Sequence, residues 1–228
     1  MLRPVIPWTL IDTTTIPGDG GEMYLYRRGD EYSIRIGHHE LMNSREHGSE
    51  DALATLVCDR LIDRRKVRVL VGGLGMGFTL AGVLNGVTKE SEVVISELVP
   101  SVVAWHRGPL AEVSGGILDD PRVRIRETDV ARIIAESRDA FDAILLDVDN
   151  GPAGITSKHN DKLYGLGGLR SAHRALREGG ILAVWSSGPD PTFTRRLQQT
   201  GFTAEEVRVR GRANNKGQRY LIWLATRR

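Results

Sequence analysis

The stretch Val69-Leu70-Val71-Gly72-Gly73-Leu74-Gly75-Met76-Gly77-Phe78 constrains the fold of this chain most. A wholly apolar run leads without a spacer into four glycines within six positions, and Thr79–Leu84 follows with helical spacing. A strand that is apolar on both faces belongs in a parallel sheet covered on both sides. Glycine allows the backbone to turn tightly and a ligand to approach with no Cβ in the way. The spacing separates ligand classes. A dinucleotide fingerprint counted from Gly73 needs its last glycine at residue 78, where Phe78 stands, which argues against a dehydrogenase. The pattern present is G-x-G-x-G, the spacing common where an adenosyl sulfonium nucleoside binds with no pyrophosphate to cradle. Gly72, Gly73, Gly75 and Gly77 are the expected cofactor-binding turn, and a tight βα turn without ligand is the structural alternative.

From Val67 onward strand and helix alternate. Strands are predicted at Val67–Val71, Val93–Ser96, Val123–Arg126, Ala143–Leu146 and Ile181–Trp185. Helices are predicted near Thr79–Leu84, Pro100–His106, Val130–Glu136 and Leu169–Leu176, the last closed by Gly179-Gly180. Pro100 and Pro191 fit first helical positions, Pro191 behind a capping Asp190. Two final strands, Glu206–Val209 and Tyr220–Leu224, form a hairpin on the sheet edge. The prediction is a doubly wound, mostly parallel seven-stranded α/β sheet, Rossmann-like and of the class I methyltransferase type.

The first residues read differently. Met23–Tyr26 and Tyr32–Ile36 are short β-rich runs joined by Arg28-Gly29-Asp30-Glu31, and Glu40-Leu41-Met42 supplies a third. A small antiparallel β unit is expected over residues 1–48, and the nucleoside-binding domain over 49–228. Ser49 is the expected cap of a helix with Glu50 and Asp51 in its first turn and apolar residues at Leu53, Leu56, Val57, Leu61 and Ile62.

Composition narrows the setting. No window approaches eighteen unbroken apolar residues, so no spanning helix is expected. The single cysteine, Cys58, excludes an intrachain disulfide and a cysteine-rich zinc cage. Met1–Leu10 lacks a signal-peptide pattern, so a reducing cytoplasm is the expected compartment. Net charge is +2, but residues 191–228 hold nine Lys or Arg against two acids, a local +7 on a body of −5. That end could meet nucleic acid or another anionic partner; the simpler reading is an edge strand whose charge discourages self-pairing. Neighbouring His38 and His39, with Glu40 and His47, cannot easily face one ion, so no metal is expected.

Further candidates lie at strand ends. Glu97 closes the second parallel strand, twenty residues beyond Gly77, where a carboxylate can accept ribose hydroxyls. Asp129 follows the third strand and can either reach an adenine amino group or cap the next helix. Asp147 directly follows Ala143-Ile144-Leu145-Leu146 and should face the crevice outside the strand ends, since burying it unpaired would be costly. Asp149 points the other way if the extended geometry persists. Tyr164 is placed to close over a substrate, while Cys58, Trp105, Trp185 and Trp223 are expected to pack, Trp185 with a further option as a pocket wall.

Together, the glycine turn at Val69–Gly77, Glu97, Asp129, the Asp147 loop, the segment Gly168–Trp185 and the N-terminal β runs make nearly the whole chain similar to the spermidine synthase family. These are aminopropyltransferases on a class I methyltransferase fold with a small N-terminal β unit. The resemblance implies that the glycine turn and Glu97 hold the nucleoside, that Asp147 helps deprotonate the attacking amine, and that the protein is a homodimer. Three positions depart from the family pattern. The acid inside its glycine turn is Gly75 here, its Tyr-His-Glu motif is replaced by Gly48-Ser49-Glu50-Asp51, and its D-x-x-D pair reads Asp147 to Asn150. A diamine needs fixed carboxylates, and Glu50 or Asp51 is the available replacement. Glu50, Asp51, Asp149, Asn150 and Tyr164 are thus the substrate-binding candidates.

The function expected is transfer of an alkyl group, aminopropyl or methyl, from S-adenosylmethionine or its decarboxylated form to a small-molecule amine. Asp147 is the catalytic residue. Loss of the turn acid argues against the aminopropyl donor, while Val71 stands where a methyltransferase usually carries an acid. Alternatives are a methyltransferase acting on a small molecule or RNA, and a non-catalytic nucleoside-binding module.

Overall fold

The computed structural model describes residues 6–18, 20–148, 151–152, 162–212 and 216–228. A first sheet is a four-stranded antiparallel meander of β1 (Thr9–Thr15), β2 (Glu22–Arg28), β3 (Glu31–Ile36) and β4 (His39–Asn43). The expected runs are β2, β3 and β4. β1 is an addition: its residues are mostly exposed, so it carries no apolar alternation that a sequence reading could detect.

The second sheet contains β5 (Arg68–Gly72), β6 (Glu92–Glu97), β7 (Val123–Glu127), β8 (Phe141–Leu146), β9 (Leu176–Ser186), β10 (Phe202–Arg212) and β11 (Lys216–Arg227). Its order is β10-β11-β9-β8-β5-β6-β7, with five parallel strands and the β10–β11 hairpin antiparallel at one edge. The doubly wound, mostly parallel seven-stranded sheet is as predicted. The chain order reverses between β5 and β8, the switch point where ligands of open α/β sheets bind.

Helices α1 (Gly48–Arg60), α2 (Phe78–Gly86), α3 (Pro100–His106), α4 (Ala111–Ser114), α5 (Val130–Glu136), α6 (Leu166–Ala175) and α7 (Phe193–Gln199) cover the sheet. One core joins the two sheets: Leu25, Tyr32 and Ile34 pack in the same cluster as Leu53, Leu74, Val71 and Leu145. Trp105 Nε1 donates to Asp12 Oδ2 at 2.7 Å, and the Thr14 and Ser101 hydroxyls lie 2.7 Å apart, fixing β1 to α3. The opposite face buries Tyr164, Leu169, Phe193 and Trp223.

Three local expectations change. Ser49 lies inside α1, which begins at Gly48 behind His47, and its hydroxyl donates instead to Glu50 Oε2 at 2.5 Å. The helix before β9 ends at Ala175, because Leu176 turns extended to pair with Phe141; Gly179-Gly180 then falls within β9. Pro191 precedes α7, where Asp190 Oδ1 accepts the Thr192 amide at 2.9 Å.

Two contacts aim α1 at the switch point. A Cβ on Gly82 or Gly86 of α2 would meet Ala54 or Cys58 at 2.6 Å, so only glycine permits this close helix crossing. His47 stacks on Phe78 with ring centroids 4.2 Å apart, pinning the two helix N-termini together. Cys58 is buried in that crossing, which pushes its thiol up to about 11 and suits a core residue.

Candidate active site

The glycine turn runs from the end of β5 into α2. Gly73 and Gly75 hold φ of +90° and +50°, a region costly for most side chains. A Cβ on Gly73 would run into the Asp147 carbonyl, and one on Gly75 would lie 2.7 Å from the Met42 thioether of β4. Gly72 abuts Val130, and Gly77, preceding α2, abuts Ile117 and His106. The glycines are therefore demanded by backbone conformation and by the protein's own packing against the turn.

Glu97, at the end of β6, is 7% exposed and ties the turn to the next strand. Its Oε2 accepts the Leu74 amide at 2.9 Å and its Oε1 the Val99 amide at 2.8 Å. Burial raises its pKa against the opposing pull of those amides. Asp129 caps α5, its Oδ1 accepting the Ala131 amide at 2.8 Å, which is the capping alternative of the sequence reading.

His106 was not singled out by sequence. It is 3% exposed, with Nε2 2.9 Å from the Gly75 carbonyl and a buried Nδ1 unpartnered among the described residues. The carbonyl can only accept, so Nε2 carries the proton; burial lowers the pKa and keeps the ring neutral.

Asp147 stands at the switch point. Its amide donates to the Gly72 carbonyl at 2.9 Å, and its Oδ2 accepts the Thr79 hydroxyl at 2.6 Å. Burial pushes its carboxyl up to about 6. Glu50, one turn into α1, faces it: burial and the Asp147 charge push Glu50 up to about 7. Tyr220 of β11, itself raised by burial, Glu50 and Glu46, stands beside this pair, tilted 33° over Trp185 at 5.0 Å. A carboxylate pair with an aromatic ring near Glu50 has the chemistry to receive a cation.

Of the two first-turn acids, the structure brings only Glu50 to Asp147. Asp51 lies about 100° further round the helix. Its Oδ2 bonds His47 Nδ1 at 2.7 Å, and it lines a shallow groove with Val207 and Val209. Tyr164 is also relocated: at 1% exposure its ring packs edge-on to Phe193 at 5.8 Å, so it is part of the core rather than a closure over substrate. Asp149 and Asn150 lie outside the described residues. Among the described residues no three His, Cys, Asp or Glu side chains are grouped to hold a metal ion. Nor is any described helix long and apolar enough to cross a membrane. Within the basic C-terminal segment, Arg196, Arg212 and Arg227 pair with Asp190, Glu46 and Asp139, and β10 is the edge strand of its sheet.

Fold and site together define a Rossmann-like domain of methyltransferase topology with a carboxylate pair at its switch point. Residues 46–200 match the model of the spermine/spermidine synthase domain, and the chain belongs to that family. It is 29% identical to the polyamine aminopropyltransferase of Mycobacterium tuberculosis over 179 residues, 76% of this chain and 32% of that one. To the polyamine aminopropyltransferase of Pseudomonas syringae it is 32% identical over 124 residues, 54% of this chain and 41% of that one. The chain thus spans about a third to two fifths of the length of these curated relatives. Spermidine synthase from Thermotoga maritima superposes with a TM-score of 0.73 at 19% identity, over 96% of this chain and 73% of that one. A putative methyltransferase from Thermoplasma acidophilum reaches 0.52 at 15% identity, over 72% and 70%. Both share the fold.

Proposed function

We propose that the chain transfers an alkyl group, aminopropyl in the first instance, from an S-adenosyl sulfonium donor to an amine. The observation that carries this reading is Asp147, a half-buried carboxylate held by Thr79 at the switch point, whose charge Glu50 feels. Family membership and the names of the relatives support it. Glu97 is assigned the donor's ribose, the glycine turn its approach, and Asp129 its base.

The sulfonium carbon is already electrophilic, so the protein supplies alignment and a lone pair. An amine with a pKa near 10 arrives protonated. Its proton passes to Asp147, the freed nitrogen pair attacks the carbon bound to sulfur, and the C–S bond breaks with its electrons remaining on sulfur. A neutral thioether nucleoside leaves. Because proton acceptance needs ionised Asp147, kcat/KM should rise with pH across roughly 6 to 7.

One observation favours a second reading, methyl transfer from S-adenosylmethionine. The position of the family's turn acid is Gly75 with the Met42 thioether against it, and that apolar corner offers nothing to a bare ammonium tail. A zwitterionic amino-acid tail needs no such acid. Thermal shifts with S-adenosylmethionine, its decarboxylated form, methylthioadenosine and NAD, followed by turnover with the stabilising donors, test both readings. Stabilisation by NAD alone would sink them together. Nucleoside stabilisation without turnover on any amine would leave a binding module.

A further inference from the structure

We propose that the outer edge of β10 is an interface on which a second copy of this chain pairs its own β10, antiparallel, about a two-fold axis at Val207. The proposal is independent of the chemistry at Asp147.

Among the described residues β10 pairs with β11 along one edge, and no strand pairs with the other. Such an edge presents a row of backbone donors and acceptors to any strand that can lie beside it. The ladder is regular from Phe202 to Arg210, and the register shift between Arg210 and Arg212 bends the strand beyond that point. Charge along this stretch is sorted by sign: Glu205 and Glu206 precede Val207, and Arg208 and Arg210 follow it. Sorted charge does not simply discourage pairing; it selects the partner and the register.

In an isologous antiparallel pair, residue i opposes residue j and j opposes i. Directly opposite side chains share a face of the sheet, so the axis falls on a residue and not between two. Centred on Glu205, Glu206 or Arg208, the pairing sets a charge against its own twin. Centred on Val209, it sets Arg208 against Arg210. Centred on Val207, it sets Glu206 against Arg208 twice, Glu205 against Val209 and Ala204 against Arg210, with no like charges opposed. Like charges directly opposite are destabilising and unlike ones favourable, so the sequence of β10 selects this register.

The fold leaves these groups where the pairing needs them. Arg208 is exposed, and Glu206 accepts the Thr194 hydroxyl through Oε1, which leaves Oε2 for a guanidinium. On the α1 face, half-buried Val207 and Val209 line a shallow apolar trough of about 310 Å³ with Ala52, Thr55 and Leu56. An axis at Val207 sets the two copies of that valine against each other beside both troughs and removes apolar surface from water.

The test is sedimentation of the chain and of two charge-reversal variants, Glu206→Arg and Arg208→Glu. Wild type should sediment as a dimer. Each variant alone sets like charges opposite at both pairs and should dimerise about tenfold more weakly. An equimolar mixture of the two variants opposes unlike charges again and should recover the dimer. Oxidation of Val207→Cys should link two copies, because directly opposite Cβ atoms lie about 4.5–5.5 Å apart. Thr203→Cys should not link, since its twin would lie about 27 Å along the strand pair. Cys58, the one native thiol, is buried and stays out of this reaction. A monomeric wild type, variants that dimerise as well as wild type, or a mixture no better than its components would overturn the proposal.

Discussion

The strand β8 carries a carboxylate at each end, buried Asp142 and half-buried Asp147, and the two are treated in opposite ways. At the amino end Asp142, 4% exposed, is fully answered. Arg64 donates to Oδ1 at 2.8 Å, while the Arg68 amide and Arg177 donate to Oδ2 at 2.8 and 2.5 Å. At the carboxyl end Asp147 has one hydroxyl and a second carboxylate facing it. Asp142 is a staple, binding the segment after α1, β5 and β9 to β8. Among the described residues no arginine or lysine answers Asp147, the condition expected of a group that must take up a proton or receive a cation. On the proposed reading, one strand separates holding the fold together from chemistry by which end meets arginine.

Substitution at Asp147 should have the largest effect. Asp147→Asn should lower kcat by about 10²- to 10⁴-fold, the usual contribution of a general base, with donor affinity nearly intact by thermal shift. An equal loss of donor binding would show that Asp147 holds the nucleoside instead. Asp142→Ala should do the reverse. Leaving two arginines and a buried amide without their acceptor should cost about 2–4 kcal/mol, or roughly 5–15 °C in melting temperature. Turnover per folded molecule should not change, and a kinetic defect at temperatures well below the transition would erase the contrast.

Glu50→Gln sharpens it further. Glu50 and Asp147 both have folded pKa values above their unfolded ones, so the stability they contribute is complete below about pH 4 and is lost as pH rises through about 6 to 7. Above that range the wild type holds two neighbouring half-buried anions. The variant should therefore melt a few degrees higher than wild type at pH 8 and at the same temperature at pH 4. A gain of equal size at both pH values would point to helix propensity rather than charge. The smallest effect belongs to the exposed pair Arg132–Glu136 on α5, where Arg132→Ala should leave the melting temperature unchanged within error. A larger loss there would mean that surface charge matters more in this protein than the two ends of β8 suggest.

Much of the architecture was legible in the sequence. The apolar runs at Val69–Val71 and Ala143–Leu146, the glycine turn between strand and helix, and the acids placed just after strands are local patterns with a period or a spacing. Glu97, Asp129 and Asp147 could be singled out because an acid at a strand's carboxyl end is visible in one dimension. Tyr164 and Asp51 were misplaced because their surroundings depend on how helices dock, as the ring-on-ring packing of Tyr164 and the His47 bond to Asp51 show. Thr79, His106, Met42, Arg212 and Tyr220 carried no local signal. Each acts on a residue at least 31 positions away. A hydroxyl early in the helix after the glycine turn was the one clue available for Thr79.

Hydrophobic period, glycine spacing and the position of acids after strands are properties of neighbouring residues, so the chain alone determined a mostly parallel sheet with a glycine turn and an acid at its switch point. Which of Glu50 and Asp51 meets Asp147, and which acid Arg212 neutralises, were decided only in three dimensions. Those outcomes depend on the rotation of α1 about its axis, fixed by its crossing with α2, and on a one-residue shift in the β10–β11 ladder that lets Arg212 meet an acid 166 residues away.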